Sequence, residues 1–302
     1  MTNININAII VTYNISQDFL ENLKSVIPQV NQAIIVDNGG SEEVLANIPE
    51  AEQKKVQIIK NDSNIGLAAA QNLGINQAVK NKADWVLFLD DDSRLEENMI
   101  KNMLAAYEEN PAREKIAIIT PRIRDENSDL YYPALTFFLK FFFLRRKTEG
   151  KAYINGLFSA LASGSLIKRE VLEELGKMRE DLFIDFIDWE FALRALSKGW
   201  KIMAAGNALM HHTIGKKTTH TLLGKKFVTT NHTPERRYWA AKNRVIFWKL
   251  YAAKYPAVFL YTAMAFTYEM ILIALFEEER PEKLGKIIQG MKDGIFAKKL
   301  PE

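Results

Sequence analysis

The sequence contains no cysteine and neither of the two common glycine-rich phosphate motifs. Without cysteine the chain forms no disulfide, thiolate metal site or cysteine nucleophile, which fits a reducing compartment. The patterns G-x-x-x-x-G-K-[ST] and G-x-G-x-x-G are both absent, so a bound nucleotide must be held in another way. The N-terminus also lacks a basic stretch followed by an apolar run, and we therefore expect a cytoplasmic location.

The composition is that of an ordinary globular protein with an uneven distribution of charge. The 302 residues are 48% hydrophobic and 25% charged, which excludes disorder of the whole chain and suits one large α/β domain or a domain with an appendage. Residues 1–120 contain 10 Lys and Arg against 17 Asp and Glu, whereas residues 121–302 contain 30 against 20. The basic C-terminal half predicts an anionic partner; a nucleic acid, an anionic membrane face and a diphosphate substrate are all compatible with it.

An apolar run followed by three acids is the central feature of the N-terminal half. Residues 85–89 predict a strand buried on both faces, with Asp90, Asp91 and Asp92 at its carboxyl end. Adjacent carboxylates repel one another unless a cation or a donor-rich ligand lies among them, and open α/β sheets bind ligands at this end of a strand. Such oxygen ligands suit Mg²⁺ or Mn²⁺, which usually also bind a substrate phosphate. The simpler alternative is a solvated loop that begins a helix.

Strands and helices alternate over the first 120 residues. Apolar, β-branched runs at 6–12, 34–37, 56–60 and 116–120 predict strands, and a helix is predicted at 66–80. This order, with short connections, predicts a mostly parallel sheet covered by helices.

Polar residues follow several of these predicted strands. Because the carboxyl ends of parallel strands share one edge, we expect a single crevice lined by Thr12, Tyr13, Asn14, Asp37, Asn64, Asp90, Asp91 and Asp92. Tyr13 is suited to stacking on a base and Asp37 to accepting a hydrogen bond from a ring N–H. Each residue by itself also suits a simpler role, Tyr13 in rim packing and Asp37 in a turn.

Past Pro121 the regular alternation stops and two apolar segments stand out. Residues 137–144 contain five Phe and are followed by three cations, a composition that suits a membrane-interface anchor and equally a core segment with a solvated end. Residues 258–276 are nearly long enough to span a bilayer, but Glu269 and two threonines interrupt them. We expect instead a buried, dimer-forming or membrane-surface helix, continued by an amphipathic segment at 284–295.

A second group of acids lies at the start of a predicted helix that ends at Gly199. Asp188 and Glu190 fall in its first turn, where acids favour the positive end of a helix whatever their function. Asp185 precedes the helix among apolar residues, and helix capping explains it less well. His212, one of two adjacent histidines, offers a ring nitrogen to a metal or a diphosphate, although such a pair is more often structural.

Taken together, these motifs resemble glycosyltransferase family 2. They are Val-Thr-Tyr-Asn at 11–14, Val-Asp-Asn at 36–38, Asn64, Gly66, Asn72, Gly74, Leu-Asp-Asp-Asp at 89–92, Asp-Trp-Glu at 188–190 and Arg194. Residues 183–190, 212–215 and 237–243 look like the rhamnosyltransferase branch that builds bacterial O-antigen and capsular polysaccharide. The resemblance implies a GT-A fold, with a Rossmann-like, mostly parallel sheet, helices on both faces and a C-terminal helical extension.

The resemblance also implies roles for individual residues. Nucleotide-sugar binding is implied for Thr12, Tyr13, Asn14, Asp37, Asn64, Asp90 and Asp91. Asp92 and His212 would ligate Mn²⁺ or Mg²⁺ on the donor diphosphate, and Asp188 would be the catalytic base. Ile187 stands where the family usually has Glu, so Asp185 is a further candidate for part of that role. Contacts with acceptor or diphosphate are implied for Asp185, Trp189, Glu190 and Arg237.

The function implied is inverting, metal-dependent transfer of L-rhamnose from dTDP-L-rhamnose to a lipid-linked saccharide. The enzyme would be peripheral on the cytoplasmic face of the inner membrane, without a nucleic-acid partner, and a homodimer is compatible with its apolar C-terminal helix.

We expect residues 1–120 to bind the nucleotide sugar, 121–230 to bind the acceptor and carry catalysis, and 231–302 to form the helical extension. Two alternatives remain open: a UDP-sugar donor such as UDP-galactofuranose, and a non-catalytic anion-binding assembly protein.

Overall fold

The chain folds into two compact units, which we call the sheet unit and the helical unit. The computed structural model describes residues 4–15, 18–126, 130–138, 141–212, 218–222 and 224–298. The sheet unit comprises Met1–Thr136, Leu144–Phe183 and Ile187–Thr213, and the helical unit comprises Phe137–Phe143, Ile184–Phe186 and Ile214–Glu302. We expected functional boundaries near residues 120 and 230. The division into compact units does not test these boundaries, so they stay a prediction.

The strands are numbered in chain order over the described residues. They are β1 (Ile6–Thr12), β2 (Gln32–Asp37), β3 (Val56–Lys60), β4 (Trp85–Asp90), β5 (Ser93–Leu95), β6 (Ile116–Asp125), β7 (Leu130–Tyr131), β8 (Ala134–Phe138), β9 (Phe142–Arg146), β10 (Tyr153–Asn155), β11 (Leu166–Lys168), β12 (Lys201–His212), β13 (Thr218–Leu222) and β14 (Lys225–Thr229).

The helices are numbered in the same way. They are α1 (Phe19–Val26), α2 (Glu42–Leu45), α3 (Glu50–Gln53), α4 (Leu67–Lys80), α5 (Met99–Glu108), α6 (Arg169–Leu175), α7 (Ile187–Ser197), α8 (Pro234–Tyr251), α9 (Pro256–Phe276) and α10 (Arg280–Phe296). Short 3₁₀ helices lie at Ile27–Gln29, Arg113–Lys115 and Glu180–Leu182.

A ten-stranded sheet forms the centre of the sheet unit. Eight of its strands follow the order β10-β12-β6-β11-β4-β1-β2-β3, with β5 added to β12 and β7 to β6. The four strands β4, β1, β2 and β3 are parallel neighbours, as are β6 and β12, and β11 lies antiparallel between β4 and β6. The predicted mostly parallel sheet is therefore confirmed.

Burial on both faces explains the apolar composition of the central strands. Ile9, Ile34 and Leu87 are almost completely buried. Helix α4 packs so closely on β1 that a Cβ atom on Gly74 would lie 2.5 Å from Cγ2 of Ile9. A larger residue at 74 would push the helix off the strand.

Strand β6 continues through Pro121 to Asp125, so the strand predicted at 116–120 is longer than expected. Its partner β12 has a register shift between Ala205 and Leu209, opposite Pro121 and Arg122. A proline lacks the N–H that a regular ladder requires, but it is tolerated where the partner strand bulges.

Three helices dominate the helical unit, and they confirm the predicted C-terminal helical extension. Buried Ala241, Ile273 and Ile287 bring α8, α9 and α10 into one apolar cluster. Helices α8 and α10 cross so closely that a Cβ atom on Gly290 would lie 2.3 Å from the carbonyl oxygen of Tyr238. By length and composition alone, α9 is a described helix that could span a membrane.

A cluster of buried charges lies in the same unit. Arg237 and Lys283 both contact Glu277, at 2.6 Å and 3.1 Å, and all three side chains are at least 96% buried. Arg237 also pairs with Glu269 on α9. Oppositely charged partners make the burial of these ions tolerable.

Candidate active site

The carboxyl ends of the parallel strands meet at one edge of the sheet. Thr12 on β1 is in register with Asp37 on β2, and Val11 is in register with Asp90 on β4. The polar residues that end these strands therefore lie side by side, as the sequence predicted.

A compact polar network surrounds the end of β2. The side chain of Asn38 donates to Oδ1 of Asn64 at 2.9 Å, and Oδ1 of Asp37 accepts from the backbone N–H of Gly39 at 3.2 Å. Asp37 is buried, whereas Tyr13 is 52% exposed. The exposed ring of Tyr13 is suited to stacking on a base, and the carboxylate of Asp37 is suited to accepting a hydrogen bond from the edge of that base. The nucleotide role of both residues stays a prediction.

Asn14 follows Tyr13 in a left-handed backbone conformation, with φ at 54°. Its Oδ1 would lie 3.2 Å from a Cβ atom built on Gly40. The turn after β2 therefore comes within contact distance of the turn after β1, and Gly40, with φ at 87°, leaves room for it.

Two carboxylates and one imidazole form a cluster with metal-ligand spacing. Asp90, Asp92 and His212 offer ligand atoms that all lie within 4.8 Å of one another. Pairing of β5 with β12 places His212 opposite Ser93, directly beside Asp92. Nδ1 of His212 lies 2.9 Å from Oδ1 of Asp92, and Nε2 lies 3.6 Å from Oδ2 of Asp90.

The environment of Asp92 fits a cation. Its Oδ1 atom is buried and, despite the short distance to His212, the angles leave it without a hydrogen bond among the described residues. A buried carboxylate oxygen without a donor is costly, and a bound metal ion would satisfy it. Carboxylates with one imidazole are compatible with Mn²⁺, and carboxylates alone with Mg²⁺.

Burial and neighbouring charges shift two pKa values in this cluster. Burial raises the pKa of Asp91 to about 7, with further contributions from the neighbouring charges of Asp92 and Asp90. For His212, burial lowers the pKa, but contact with Asp92 and the charges of Asp90 and Asp125 outweigh it, so the net shift is upward. The metal-free cluster thus favours extra protons, as expected of a site that binds cations.

The Asp91 shift predicts a pH-dependent stability. The folded protein holds this proton more tightly than the unfolded chain, so its contribution to stability is complete below about pH 4 and is lost as the pH rises through about 7. We expect the thermal midpoint of metal-free wild-type protein to fall over this range relative to that of Asp91→Asn. Added Mn²⁺ should shrink the difference, and parallel profiles for the two proteins would contradict the assignment.

Asp188 lies in the first turn of α7, where two backbone groups orient its carboxylate. Oδ2 accepts from the N–H of Ala162 at 3.3 Å and Oδ1 from the N–H of Trp189 at 2.8 Å. The loop at residues 160–165 also contacts the acidic cluster, because Oγ of Ser163 accepts from the N–H of Asp90 at 3.0 Å. One loop therefore touches both Asp188 and the candidate metal ligands.

Two other residues near Asp188 have structural contacts. Glu190 is 1% exposed and pairs with Arg194 at 2.9 Å. The ring of Trp189 packs near Phe158, with ring centroids 6.0 Å apart. Neither contact supports the predicted role of Glu190 or Trp189 in binding the acceptor or the diphosphate, which stays a prediction.

Asp185 and Arg237 belong to the helical unit. Asp185 pairs with Arg236 at 3.0 Å, and Arg237 is 4% exposed with Glu269 and Glu277 as partners. The predicted roles of Asp185 and Arg237 toward acceptor or diphosphate gain no support from these contacts.

Three residues near the site were not among the predicted site residues. Ser163 links the loop to Ser93, with their Oγ atoms 2.6 Å apart, and Oγ of Ser93 lies 3.1 Å from Nδ1 of His212. Gln71 is buried and lines a cavity of about 20 Å³ together with Asp188. Its Oε1 has no hydrogen-bond partner in the part of the chain that the structure describes. The one signal in the sequence that could have found Gln71 was its position as a polar residue on the inward face of an apolar helix.

A Rossmann-like sheet with an acidic cluster at the end of β4 and a separate carboxylate at the start of α7 fits the GT-A fold that the sequence resemblance implied. Residues 8–176 match the model of the family described as Glycosyl transferase family 2, which is more than half of the chain. The chain belongs to glycosyltransferase family 2.

Individual proteins show the same relationship. The dTDP-rhamnosyl transferase RfbF of Shigella flexneri is 34% identical over 251 residues, which are 80% of this chain and 79% of that protein. Galactofuranosyltransferase GlfT1 of Mycobacterium tuberculosis is 24% identical over 251 residues, 78% of this chain and 80% of that protein. The crystal structure of GalNAc-T7 with UDP, GalNAc and Mn²⁺ matches with a TM-score of 0.61 at 16% identity. That match covers 97% of this chain but only 57% of the other, and it shows the fold alone.

Proposed function

We propose that the protein transfers L-rhamnose from dTDP-L-rhamnose to a lipid-linked saccharide in cell-surface polysaccharide synthesis. The observation that carries the donor assignment is the 34% identity to the Shigella flexneri dTDP-rhamnosyl transferase over most of both chains. The site is compatible with this chemistry, since it combines a candidate cation cluster with a separate, oriented carboxylate. We further propose that the enzyme works at the cytoplasmic face of the inner membrane, where a lipid-linked acceptor would be presented.

The residues have distinct tasks in this proposal. Asp188 takes the proton of the attacking hydroxyl, and the N–H groups of Ala162 and Trp189 hold its carboxylate in one orientation. A single displacement of this kind inverts the configuration at the sugar carbon. On the donor side, Tyr13 stacks on the base and Asp37 accepts from its ring N–H.

Asp90, Asp92 and His212 would hold the divalent cation. When bound, Mn²⁺ or Mg²⁺ acts as a Lewis acid on the departing diphosphate oxygens. Ser93 and Ser163 position these ligands through contacts with His212 and with the backbone of Asp90.

A UDP-sugar donor is the second candidate, because the Mycobacterium tuberculosis galactofuranosyltransferase is also similar over most of its length. Thermal shift with dTDP-L-rhamnose, UDP-galactofuranose and UDP-galactose, each with Mn²⁺, tests the choice. We expect dTDP-L-rhamnose to raise the midpoint most, because the proposed donor should bind most tightly. A ligand at about a hundred times its dissociation constant stabilises the folded state by about 2.7 kcal/mol.

The metal requirement is tested in the same assay. We expect EDTA, or the substitution Asp92→Asn, to remove most of the shift caused by dTDP-L-rhamnose. A larger shift with a UDP-sugar would replace the donor assignment. If the midpoint shift depends neither on the metal nor on which nucleotide is added, and no sugar is transferred, the result would favour the anion-binding assembly protein.

A further inference from the structure

Helix α9 carries an apolar stripe on its outward face. Leu260, Met264, Tyr268, Ile271 and Leu275 follow one another at spacings of three or four residues and are between 44% and 68% exposed. We call these five residues the α9 stripe. It runs for about 22 Å along the helix, given a rise of 1.5 Å per residue. The whole of α9 contains one charged residue, Glu269, which is not part of the stripe.

The opposite face of α9 is bound to the rest of the helical unit. Glu269 accepts from Arg244 at 2.8 Å and also pairs with Arg237, while Oγ1 of Thr262 accepts from Nε1 of Trp248 at 2.8 Å. Insertion across a bilayer would have to break these contacts and leave the charge of Glu269 in hydrocarbon. The geometry therefore favours a helix that lies on a surface with only the stripe buried.

Exposed aromatic rings extend this surface. Three residues at the adjoining ends of β8 and β9, which we call the hairpin tip, are each more than half exposed: Phe138, Phe141 and Phe142. The same segment is anchored on α9, because the ring of Phe143 meets that of Tyr261 edge to face at 4.9 Å between centroids. Tyr261 is the neighbour of Leu260, so the hairpin tip lies beside the N-terminal end of the α9 stripe.

The net charge of the helical unit favours a bilayer over a second copy of the chain as the occupant of this surface. Residues 214–302 contain 16 Lys and Arg against 8 Asp and Glu. In a symmetric dimer the same surface of two copies would meet, bringing two strongly basic units together. An anionic bilayer instead receives the apolar side chains at the acyl boundary and attracts the cations to its headgroups.

We propose that the α9 stripe and the hairpin tip dock the protein on the surface of an anionic lipid bilayer. This inference rests on the helical unit and is independent of the sugar donor. It goes beyond the proposed chemistry by naming the residues that hold the enzyme at the membrane.

Vesicle co-sedimentation of the full chain tests the proposal. Wild-type protein should bind vesicles of phosphatidylcholine with phosphatidylglycerol more strongly than vesicles of phosphatidylcholine alone, and salt should weaken the binding. The double variant Met264→Glu/Ile271→Glu should bind at least about tenfold more weakly, since two apolar side chains no longer enter the bilayer. Its folding is expected to be retained because both side chains are exposed, and circular dichroism checks this.

The matched control is Ala51→Glu/Gln53→Glu, which adds the same two charges at exposed positions of α3 in the sheet unit. It should bind vesicles as the wild type does. Equal binding by wild type and the α9 variant would overturn the proposal. So would a wild-type dimer in light scattering that the α9 variant converts to a monomer without any vesicle binding.

The outcome also separates this inference from the proposed function. Transfer of sugar to a soluble acceptor analogue should be the same in wild type and in Met264→Glu/Ile271→Glu. Transfer without vesicle binding would refute the docking surface and leave the proposed transfer reaction intact, whereas vesicle binding without transfer from dTDP-L-rhamnose would refute the proposed reaction and leave the docking surface intact.

Discussion

Replacement of Asp188 by Asn should lower the turnover number by about two to four orders of magnitude, the usual contribution of a general base. The amide cannot take the proton of the attacking hydroxyl, yet its oxygen can still accept one of the two backbone hydrogen bonds from Ala162 and Trp189. We therefore expect the fold and donor affinity to be retained. Initial rates of transfer, with calorimetric binding of the donor in the presence of Mn²⁺, measure the two effects separately.

Glu109→Gln is a suitable control for Asp188→Asn, because it removes an exposed carboxylate at the end of α5, outside the site. It should transfer sugar at the wild-type rate. If Asp188→Asn also retains near-normal turnover, the base is a different residue. A joint loss of donor binding and turnover would instead place Asp188 in donor binding.

Replacement of Glu277 by Ala should destabilise the protein by about 3–5 kcal/mol, the range seen when a buried ion pair loses one partner. Glu277 is the shared partner of Arg237 and Lys283, and both cations would stay buried without it. Arg237 would retain Glu269, but Lys283 has no other ion pair among the described residues. Thermal unfolding of the full chain should show a midpoint lower by roughly 10 °C.

The neighbouring residue offers a matched control. Glu278 is exposed, so Glu278→Ala removes the same side chain from the same turn without uncovering a buried cation. We expect its midpoint to lie close to that of the wild type. Equal midpoints for the two alanine variants would show that the buried cluster contributes little to stability.

Much of the site was predictable because strand ends carry a simple signal. An apolar run followed by acids predicts both a buried strand and the place where its polar residues emerge, and parallel pairing then brings Thr12, Asp37 and Asp90 together. The same reasoning does not extend to Glu190 and Arg237. A charged residue in a helix looks the same in sequence whether it faces a substrate or a buried counter-ion, and here each has such a partner.

The sequence by itself determined the alternation of strands and helices, the acidic end of β4 and the apolar character of α9, because these depend on residues that are near one another along the chain. Tertiary structure decided which distant groups meet. The β5–β12 pairing brings His212 beside Asp92, which the family resemblance implied but no local pattern showed, and the loop at 160–165 joins Asp90 to Asp188 through Ala162 and Ser163. Contacts of this kind depend on how strands pair and loops cross the sheet, and no local pattern of residues encodes them.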